Sequence, residues 1–329
     1  MEQVALVIGN GFDLDLGFFV SSPLEFIDCY NSDRSNEIYF YDDNYSEHSL
    51  VCHLHHILPE DKWSETEEII HDLVVSHIGC TTQTSNEVRE ELKKLKTSLA
   101  DFHQNNLMIF SARKSSMAYE LVEALMESPI EANCFSFNYT DTRRMLGIID
   151  GWADTFTTFT HLHGSYQNKD IIWGCSLKKG EEPNRELSFL YKANQMKQAN
   201  HIVKHLLNAK EVIIFGHSMN EMDFCYFREY LKAASSSPQP ARHLTIITYD
   251  EESEIDIKYN LTKQGISVQD LYNNLESFTF IHTKNYYEYN NRVESRNFAD
   301  LLDRLYCAYR DEEEENEIEE TETPEEIDN

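Results

Sequence analysis

The stretch Val4–Ile8, VALVI, decides the fold, together with the turn Gly9-Asn10-Gly11 that follows it directly. Five consecutive apolar residues, three of them β-branched, are typical of a parallel strand that is covered on both faces. Glycines directly after such a strand permit the tight turn that leads into a helix in dinucleotide-binding folds. This segment therefore predicts an α/β protein whose first strand lies inside a parallel sheet.

Similar apolar runs recur later in the chain, and each of them ends at a polar residue or a glycine. They are Cys134–Phe137, Phe159–Leu162, Ile171–Trp173, Val212–Phe215, Leu244–Thr248 and Phe278–Ile281. We expect these runs to join the first strand in one sheet, because each has the length of a buried strand.

Helical patterns fill the stretch from about residue 20 to residue 130. A capping-box pattern at Ser64–Glu67 predicts the start of one helix, and Val88–Phe102 carries apolar residues three and four positions apart. We therefore expect a single α/β domain over residues 1–310, with a helical insertion at about 20–130 after the first strand. A further helix is predicted over about 188–209.

The chain has 329 residues and a net charge of −30, from 28 basic and 58 acidic residues. Residues 311–329 contain 12 acids and no base, which predicts an acidic disordered tail and leaves −18 on the rest. This excess of acid opposes loose binding to nucleic acid or to anionic membranes. The seven cysteines are scattered and no run approaches the ~20 apolar residues of a membrane span, so we expect a cytoplasmic protein.

The turn Gly9-Asn10-Gly11 is the first candidate binding site, because backbone amides at such a turn can approach a phosphate. The full G-x-G-x-x-G fingerprint is not met, since Leu14 stands at the position of its third glycine. Asp13 would repel a phosphate, so it either caps a helix or hydrogen-bonds a ribose hydroxyl. The alternative for the whole turn is a tight connection without a ligand.

The second candidate is SFNYTD, residues 136–141, directly after a predicted strand. Open α/β sheets bind ligands at the carboxyl ends of their strands. Asn138 offers both a donor and an acceptor to a ribose or an amide. In the alternative interpretation, Asn138 or Asp141 caps the next helix.

The third candidate is HLHGS, residues 161–165. His161 and His163 point to the same face of an extended strand, and Gly164 leaves room at its end. His163 is the nearer of the two to the strand end, and an imidazole with a pKa of ~6.5 suits acid–base catalysis. A metal would need a third ligand that is not evident, and His161 is equally typical of a core histidine.

The fourth candidate is Gly216-His217-Ser218 after the run Val212–Phe215, with Asp223 a few residues later. These polar groups either line the same cleft as the other turns, or Ser218 caps a helix. Because the carboxyl ends of parallel strands meet at one edge of a sheet, we expect all four turns to lie close together.

Two histidine clusters have the residue types of metal ligands but lack matching partners. One is His53–His56 beside Cys52, and the other is His201 with His205. The H-E-x-x-H pattern fails because Ile202 stands where that pattern has glutamate. The sequence therefore predicts no metal site.

Five motifs occur together in one order along the chain, and they resemble those of the AbiH family of phage abortive-infection proteins. They are IGNGFDL, WSETE, SFNYTD, HLHGS followed by IIWG, and FGHSMNEMD. The resemblance covers about residues 4–250. This family in turn resembles the SIR2-like group, which implies a Rossmann-like parallel sheet that binds NAD and a role in antiviral defence.

In SIR2-like proteins, a strand-end asparagine and a later histidine of an HG motif form the catalytic pair, and these positions match Asn138 and His163. The first turn departs from the sirtuin GAG-S pattern, and NYTD carries one residue more than the common NYD. The residues implied as cofactor-binding are Gly9, Asn10, Gly11, Asp13, Asp141, Gly164, Gly216, His217, Ser218 and Asp223.

Sirtuin deacylases resemble one another in a four-cysteine zinc module, and the cysteines here lack the spacing to build it. The resemblance therefore implies water as the acceptor, which makes the reaction a hydrolysis of NAD to nicotinamide and ADP-ribose without a metal. Asn138 would orient the nicotinamide ribose or a water at C1′, and His163 would act as general base.

Two alternatives stand beside this hydrolase. The first is a nucleotide-binding sensor or regulatory module of a phage-defence system that does not turn its ligand over. The second is a Rossmann oxidoreductase, whose ribose-binding acid would lie near Asp28 or Asp33. An always-active hydrolase would kill its host, so we expect low basal activity and a phage-derived trigger, a partner defence protein or a change of homo-oligomer.

Overall fold

The structure is a computed structural model, and its described residues are 4–18, 26–27, 30, 50, 54, 63–76, 82–108, 110–128, 130–146, 156–178, 180–196, 201–284, 286 and 293–306. The predicted acidic tail at 311–329 lies outside the described residues. So do Cys52, the three histidines of the His53–His56 cluster, Asp28 and Asp33.

Six parallel strands form one sheet in the order β3-β2-β1-β4-β5-β6. This is the strand order of Rossmann dinucleotide-binding folds, so the predicted Rossmann-like α/β class is confirmed. The strands are β1 Val4–Ile8, β2 Ala132–Ser136, β3 Thr158–His161, β4 Glu211–Phe215, β5 Gln239–Thr248 and β6 Leu275–His282.

α-Helices accompany the sheet in the described part of the chain, and two short 3-10 turns lie at Ser188–Leu190 and Phe224–Tyr226. None of the described helices is long and apolar enough to cross a membrane. The helices are α1 Asn10–Asp15, α2 Trp63–Ser76, α3 Thr82–Leu107, α4 Met117–Glu127, α5 Thr142–Leu146, α6 Lys192–Gln195, α7 Ile202–Asn208, α8 Arg228–Ser236, α9 Glu251–Lys263, α10 Val268–Asn274 and α11 at 293–306.

Two elements predicted from the sequence differ in the structure. The apolar run Ile171–Trp173 is not a strand, although all three of its residues are buried. The single helix predicted over about 188–209 is instead a 3-10 turn followed by the separate helices α6 and α7. His201, directly before α7, has a positive φ of 53°, which a continuous right-handed helix does not allow.

The central strands β1, β2 and β4 are buried on both faces. Successive side chains of each strand point to opposite faces of the sheet, so both faces need a covering layer. In β1, Ala5 and Val7 pack with apolar residues of α7, α8, α9 and α10. Val4, Leu6 and Ile8 pack with apolar residues of α1, α4 and α11 on the other face. β1 is therefore apolar throughout because both of its faces are covered, as the sequence predicted.

A third hydrophobic core lies outside the sheet, and we call the region around it the cap, defined as α2, α3 and residues 166–195. Its buried residues include Leu95 and Leu99 of α3 together with Trp173. The Trp173 indole Nε1 donates a hydrogen bond of 3.0 Å to Thr66 Oγ1 of α2. Residues that follow β3 therefore complete a core whose helices follow β1, whereas α4 packs on the sheet itself.

Candidate functional site

A cavity of about 610 Å³ lies at the carboxyl ends of the strands. β1 pairs with β2 on one side and with β4 on the other. The chain therefore adds β2 and β3 on one side of β1 and then β4, β5 and β6 on the other side, which makes β1 the switch point of the sheet. Ligands of open α/β sheets bind at such a switch point, and small-molecule sites typically measure about 300–1,000 Å³. Residues that follow β1, β2, β3, β4 and β5 line the cavity, and Glu67 and His103 of the cap close it.

The glycine turns after β1 and β4 touch each other directly. The Gly9 amide donates to the Phe215 carbonyl at 2.9 Å, and the Gly11 amide donates to the Gly216 carbonyl at 3.0 Å. A Cβ on Gly216, whose φ is +66°, would lie only 2.4 Å from Gly11 Cα. Close backbone packing therefore explains these glycines, and the expected phosphate contacts through the Gly9 and Gly11 amides are not supported.

Asn138 connects the turn after β2 to the turn after β1. Its side-chain amide Nδ2 donates to the Gly9 carbonyl at 3.0 Å. The Asn138 carbonyl in turn lies 3.1 Å from His161 Nδ1, which must carry a proton to donate there. His161 thus has a structural partner of the kind expected for a core histidine, and Asn138 lines the cavity.

His163 lies against a carboxylate that a second histidine also faces. The distance from His163 Nε2 to Asp223 Oδ1 is 3.1 Å, and His217 Nε2 lies 3.7 Å from Asp223 Oδ2. The Met219 amide donates to His217 Nδ1 at 2.9 Å, so neutral His217 carries its proton on Nε2, toward Asp223. All three side chains are buried, and all three line the cavity.

The electrostatics of this pair suit a general base. Burial alone would raise the pKa of Asp223, but the Lys192 ammonium and the His163 ring outweigh it and hold that pKa well below its usual range. Burial and the Lys192 charge lower the pKa of His163, so its ring is neutral at pH 7. Because an ionised carboxylate only accepts, Asp223 at 3.1 Å favours the His163 tautomer with its proton on Nε2 and its lone pair on Nδ1, although this N–H is not aligned for a hydrogen bond to Asp223.

Lys192 is buried and lies between two carboxylates. Its Nζ is 2.7 Å from Asp223 Oδ1 and 2.6 Å from Glu67 Oε1. Sequence reasoning missed both Lys192 and Glu67, since Ser64–Glu67 looked like a capping box. Helix α2 instead begins at Trp63, and the Glu67 carboxylate points into the site. The signal available was the position of Glu67 inside the WSETE motif.

Glu67, His163 and Asp223 also form a group with metal-ligand chemistry, since their ligand atoms lie within 4.8 Å of one another. Two carboxylates and an imidazole are suitable ligands for a divalent cation. However, the Lys192 ammonium already sits at hydrogen-bonding distance from both carboxylates. Lys192 therefore supplies the positive charge that balances this buried group.

Two carboxylate oxygens in the cavity, Asp13 Oδ1 and Glu67 Oε2, are buried without a hydrogen-bond partner among the described residues. The other oxygen of Asp13 accepts a hydrogen bond from Thr140 Oγ1. Burial raises the pKa of Asp13 and the pKa of Glu67 to about 7 each. Buried polar atoms of this kind cost about 1–3 kcal/mol when unsatisfied, which points to a polar ligand or water in the cavity.

Most of the residues predicted from the sequence come together here. Asp141 and Gly164 do not line the cavity. Asp141 pairs with Arg143 at 3.2 Å and caps α5 through the Arg143 amide, and Gly164 packs closely against Asp170. The predicted residues that do line it are Gly9, Asn10, Gly11, Asp13, Asn138, His163, Gly216, His217, Ser218 and Asp223.

Comparison with known proteins identifies a family. The family model described as bacteriophage abortive infection AbiH matches residues 5–242, which is well over half of the chain. It spans every lining residue from Gly9 to Asp223 and ends before those that follow β5. No curated protein matches the chain significantly.

Proposed function

The chain belongs to the AbiH family, which implies a role in phage abortive infection, and we propose that it is an effector whose cavity binds NAD and hydrolyses it to nicotinamide and ADP-ribose. The observation that carries this proposal is the buried His163–Asp223 pair at the switch point of a Rossmann-like sheet. The pair combines a neutral imidazole with an ionised carboxylate in a cavity of nucleotide size.

Binding would rest on neutral groups rather than on basic side chains. None of the lining residues in the described part of the chain is lysine or arginine. Amides and hydroxyls at the strand ends, such as those of Asn10, Ser218 and Asn220, would hold the ribose and phosphate oxygens. The strongly acidic surface gives no long-range attraction for a dinucleotide, so recognition depends on these short contacts.

The reaction balances with the groups that line the cavity. The bond from C1′ to the pyridinium nitrogen breaks, and its electron pair neutralises the ring, so nicotinamide leaves without needing a proton. Water adds to C1′, and His163 Nδ1 accepts the proton that this water loses. A single general base therefore suffices, and Asn138 orients the ribose or the water.

The acidic lining supports the same bond cleavage. Positive charge develops on the ribose ring as nicotinamide leaves, and preorganised negative groups stabilise such a transition state. Asp13, Glu67 and Asp223 all border the cavity; Asp223 is ionised, whereas Asp13 and Glu67, each with a pKa of about 7, are ionised only in part at pH 7. Acids that would repel a phosphate are thus well placed for the ribosyl cation.

The test is release of nicotinamide and ADP-ribose from NAD, measured by chromatography with purified protein and in phage-infected cells that express it. We expect His163→Gln and Asn138→Ala to lose activity by at least about 100-fold. His243→Gln serves as control, since His243 lies opposite Glu211 in the register of β5 and β4, at the amino ends of these strands and away from the cavity. Wild-type rates in both cavity variants would refute the hydrolase.

The second candidate is a nucleotide-binding sensor without turnover. It is favoured by the chain of contacts from Glu67 of the cap through Lys192 to Asp223, which couples the cavity to the cap. Calorimetry would then detect binding of NAD or ADP-ribose without nicotinamide release. In that case His163→Gln would still protect cells against phage whenever it retained ligand binding.

A further inference from the structure

We propose that Lys192 is a positioning residue for His163: its ammonium holds the Asp223 carboxylate against the histidine ring, and Glu67 of the cap holds the ammonium in place. The role of His163 as a base rests on the proposed function, whereas the placement of its ring and proton does not. The proposal joins the cap to the reacting group through three consecutive contacts of 2.6, 2.7 and 3.1 Å.

The backbone around Lys192 is held firmly enough for this task. The Lys192 amide donates to the Cys175 carbonyl at 2.8 Å, and the Cys175 amide donates to the Leu190 carbonyl at 2.9 Å. Cys175 and Leu190 both belong to the core of the cap. The side chain of Lys192 is only 4% exposed, so its ammonium has little room for any other position.

Charge balance explains why the ammonium is required. Glu67 and Asp223 bring two carboxylates into a buried region, and breaking a buried ion pair costs about 3–5 kcal/mol because the remaining charge is uncompensated. Without Lys192, Glu67 would take up a proton, because its pKa is already about 7. Asp223 would keep its charge but lose the 2.7 Å contact that holds its carboxylate against the His163 ring.

Glu67 makes this arrangement depend on the cap. It lies on α2, next to Thr66, whose hydroxyl accepts the hydrogen bond from Trp173. A displacement of α2 would therefore remove the partner that holds the Lys192 ammonium. The geometry links the position of the cap to the orientation of the base.

The first experiment replaces the ammonium in full-length protein with Lys192→Met. We expect kcat for NAD hydrolysis to fall on the order of 100-fold while KM changes little, because the base is misplaced but the cavity remains. The charged and titratable groups that face His163 are Asp223 and His217 from the β4 side, and Lys192 and Glu67 from the cap. Removing the positive charge of Lys192 should therefore move the acidic limb of the pH profile to higher pH.

A double variant keeps the test decisive if Lys192→Met does not fold. Glu67→Gln with Lys192→Met removes one negative and one positive charge together, so the buried net charge is unchanged. We expect this protein to fold, to remain slow and to titrate His163 at higher pH by NMR. A wild-type rate with an unmoved titration would overturn the proposal, since Lys192 would then only neutralise Glu67.

Lys263→Met is the matched control, because Lys263 forms an exposed pair with Glu221 at 3.0 Å. It should leave both the rate and the His163 titration unchanged. The NMR titration needs no NAD, so it separates the two proposals. If no nicotinamide is released but the titration moves in the Lys192 variants, the hydrolase fails and the positioning role stands; turnover with an unmoved titration gives the opposite result.

Discussion

At the strand ends, the cavity residues closely follow their strands, and the glycine turns are held by hydrogen bonds between neighbouring strands, as in the contact of Gly11 with Gly216. In the cap, Glu67 and His103 come from within helices, and their positions depend on side-chain packing. The strand-end wall of the cavity is thus held in place by backbone hydrogen bonds, whereas the wall from the cap is held in place by a separate hydrophobic core.

This difference has a consequence for dynamics. The two cores on the sheet share its strands, so they cannot loosen without breaking ladder hydrogen bonds. The core of the cap shares no strand with them and joins the site through side-chain contacts such as that of Lys192 with Asp223. We therefore expect the cap to open at lower free energy than the sheet unfolds.

The largest expected effect concerns the strand-end wall. Gly216→Ala places a Cβ 2.4 Å from Gly11 Cα at a φ of +66°, so we expect the free energy of unfolding to fall by about 3–5 kcal/mol. Gly265→Ala is the control, because Gly265 has a φ of +79° but no atom near its Cβ, and about 1–2 kcal/mol is expected. Urea unfolding measures both, and equal losses would contradict close contact of the two turns.

Truncation in the two regions should give different exchange patterns. Leu95→Ala removes a fully buried side chain of the cap and should cost about 3 kcal/mol, as should Leu206→Ala on the sheet. Native-state hydrogen exchange should show faster exchange confined to α2 and α3 in the first variant. In the second variant, Leu206→Ala, the faster exchange should instead reach β1 and β4. Global loss in both variants would mean that the cap is not a separate unit.

The sequence predicted the strand-end wall well because the patterns that determine this wall lie within a few residues of one another. An apolar run such as Val4–Ile8 and the glycine turn after it determine each other within a few residues, and parallel strands bring such turns to one edge. The position of Asn138 and His163 in the cavity follows from that rule. Fold class and strand-end residues were therefore accessible without a structure.

The cap could not be predicted in the same way. Ile171–Trp173 looked like a strand because a short apolar run in a helical core has the same pattern as a buried strand. Lys192 carries no local signal, since its role depends on carboxylates 125 and 31 residues away in the chain. The family resemblance implied a ligand contact for Asp141, but the Asp141 carboxylate faces Arg143.

The stability of the protein should depend on pH through Asp13 of the strand-end wall. Burial raises the pKa of Asp13 to about 7 from an ordinary value of 3.8, so between these pH values the folded state keeps a proton that the unfolded state has lost. Stability therefore falls as pH rises through this window, by about 2–3 kcal/mol between pH 5 and 8 from this group. Asp13→Asn should flatten the dependence of the unfolding free energy on pH, measured by urea unfolding at several pH values. An unchanged dependence on pH would contradict burial of the carboxyl.

A smaller effect is expected from the link within the cap. Trp173→Phe removes the indole donor to Thr66, and one neutral hydrogen bond contributes about 1 kcal/mol. The loss should appear as faster amide exchange in α2, next to Glu67, with unchanged protection of β1. A variant whose α2 exchanges at the wild-type rate would show that packing alone holds this helix.

The smallest effect is expected at Asp141, which follows the strand-end rule in sequence but not in space. Its carboxylate binds the Arg143 side chain and amide, and it does not line the cavity. Asp141→Asn should therefore change NAD turnover by less than about 2-fold, because the ion pair of Asp141 with the partly exposed Arg143 lies outside the cavity lining. Asn138→Ala, three residues earlier, should lose at least about 100-fold in the same assay if Asn138 orients the reacting group. Comparable losses in both variants would mean that the whole turn, rather than the side chain directed at the cavity, determines the rate.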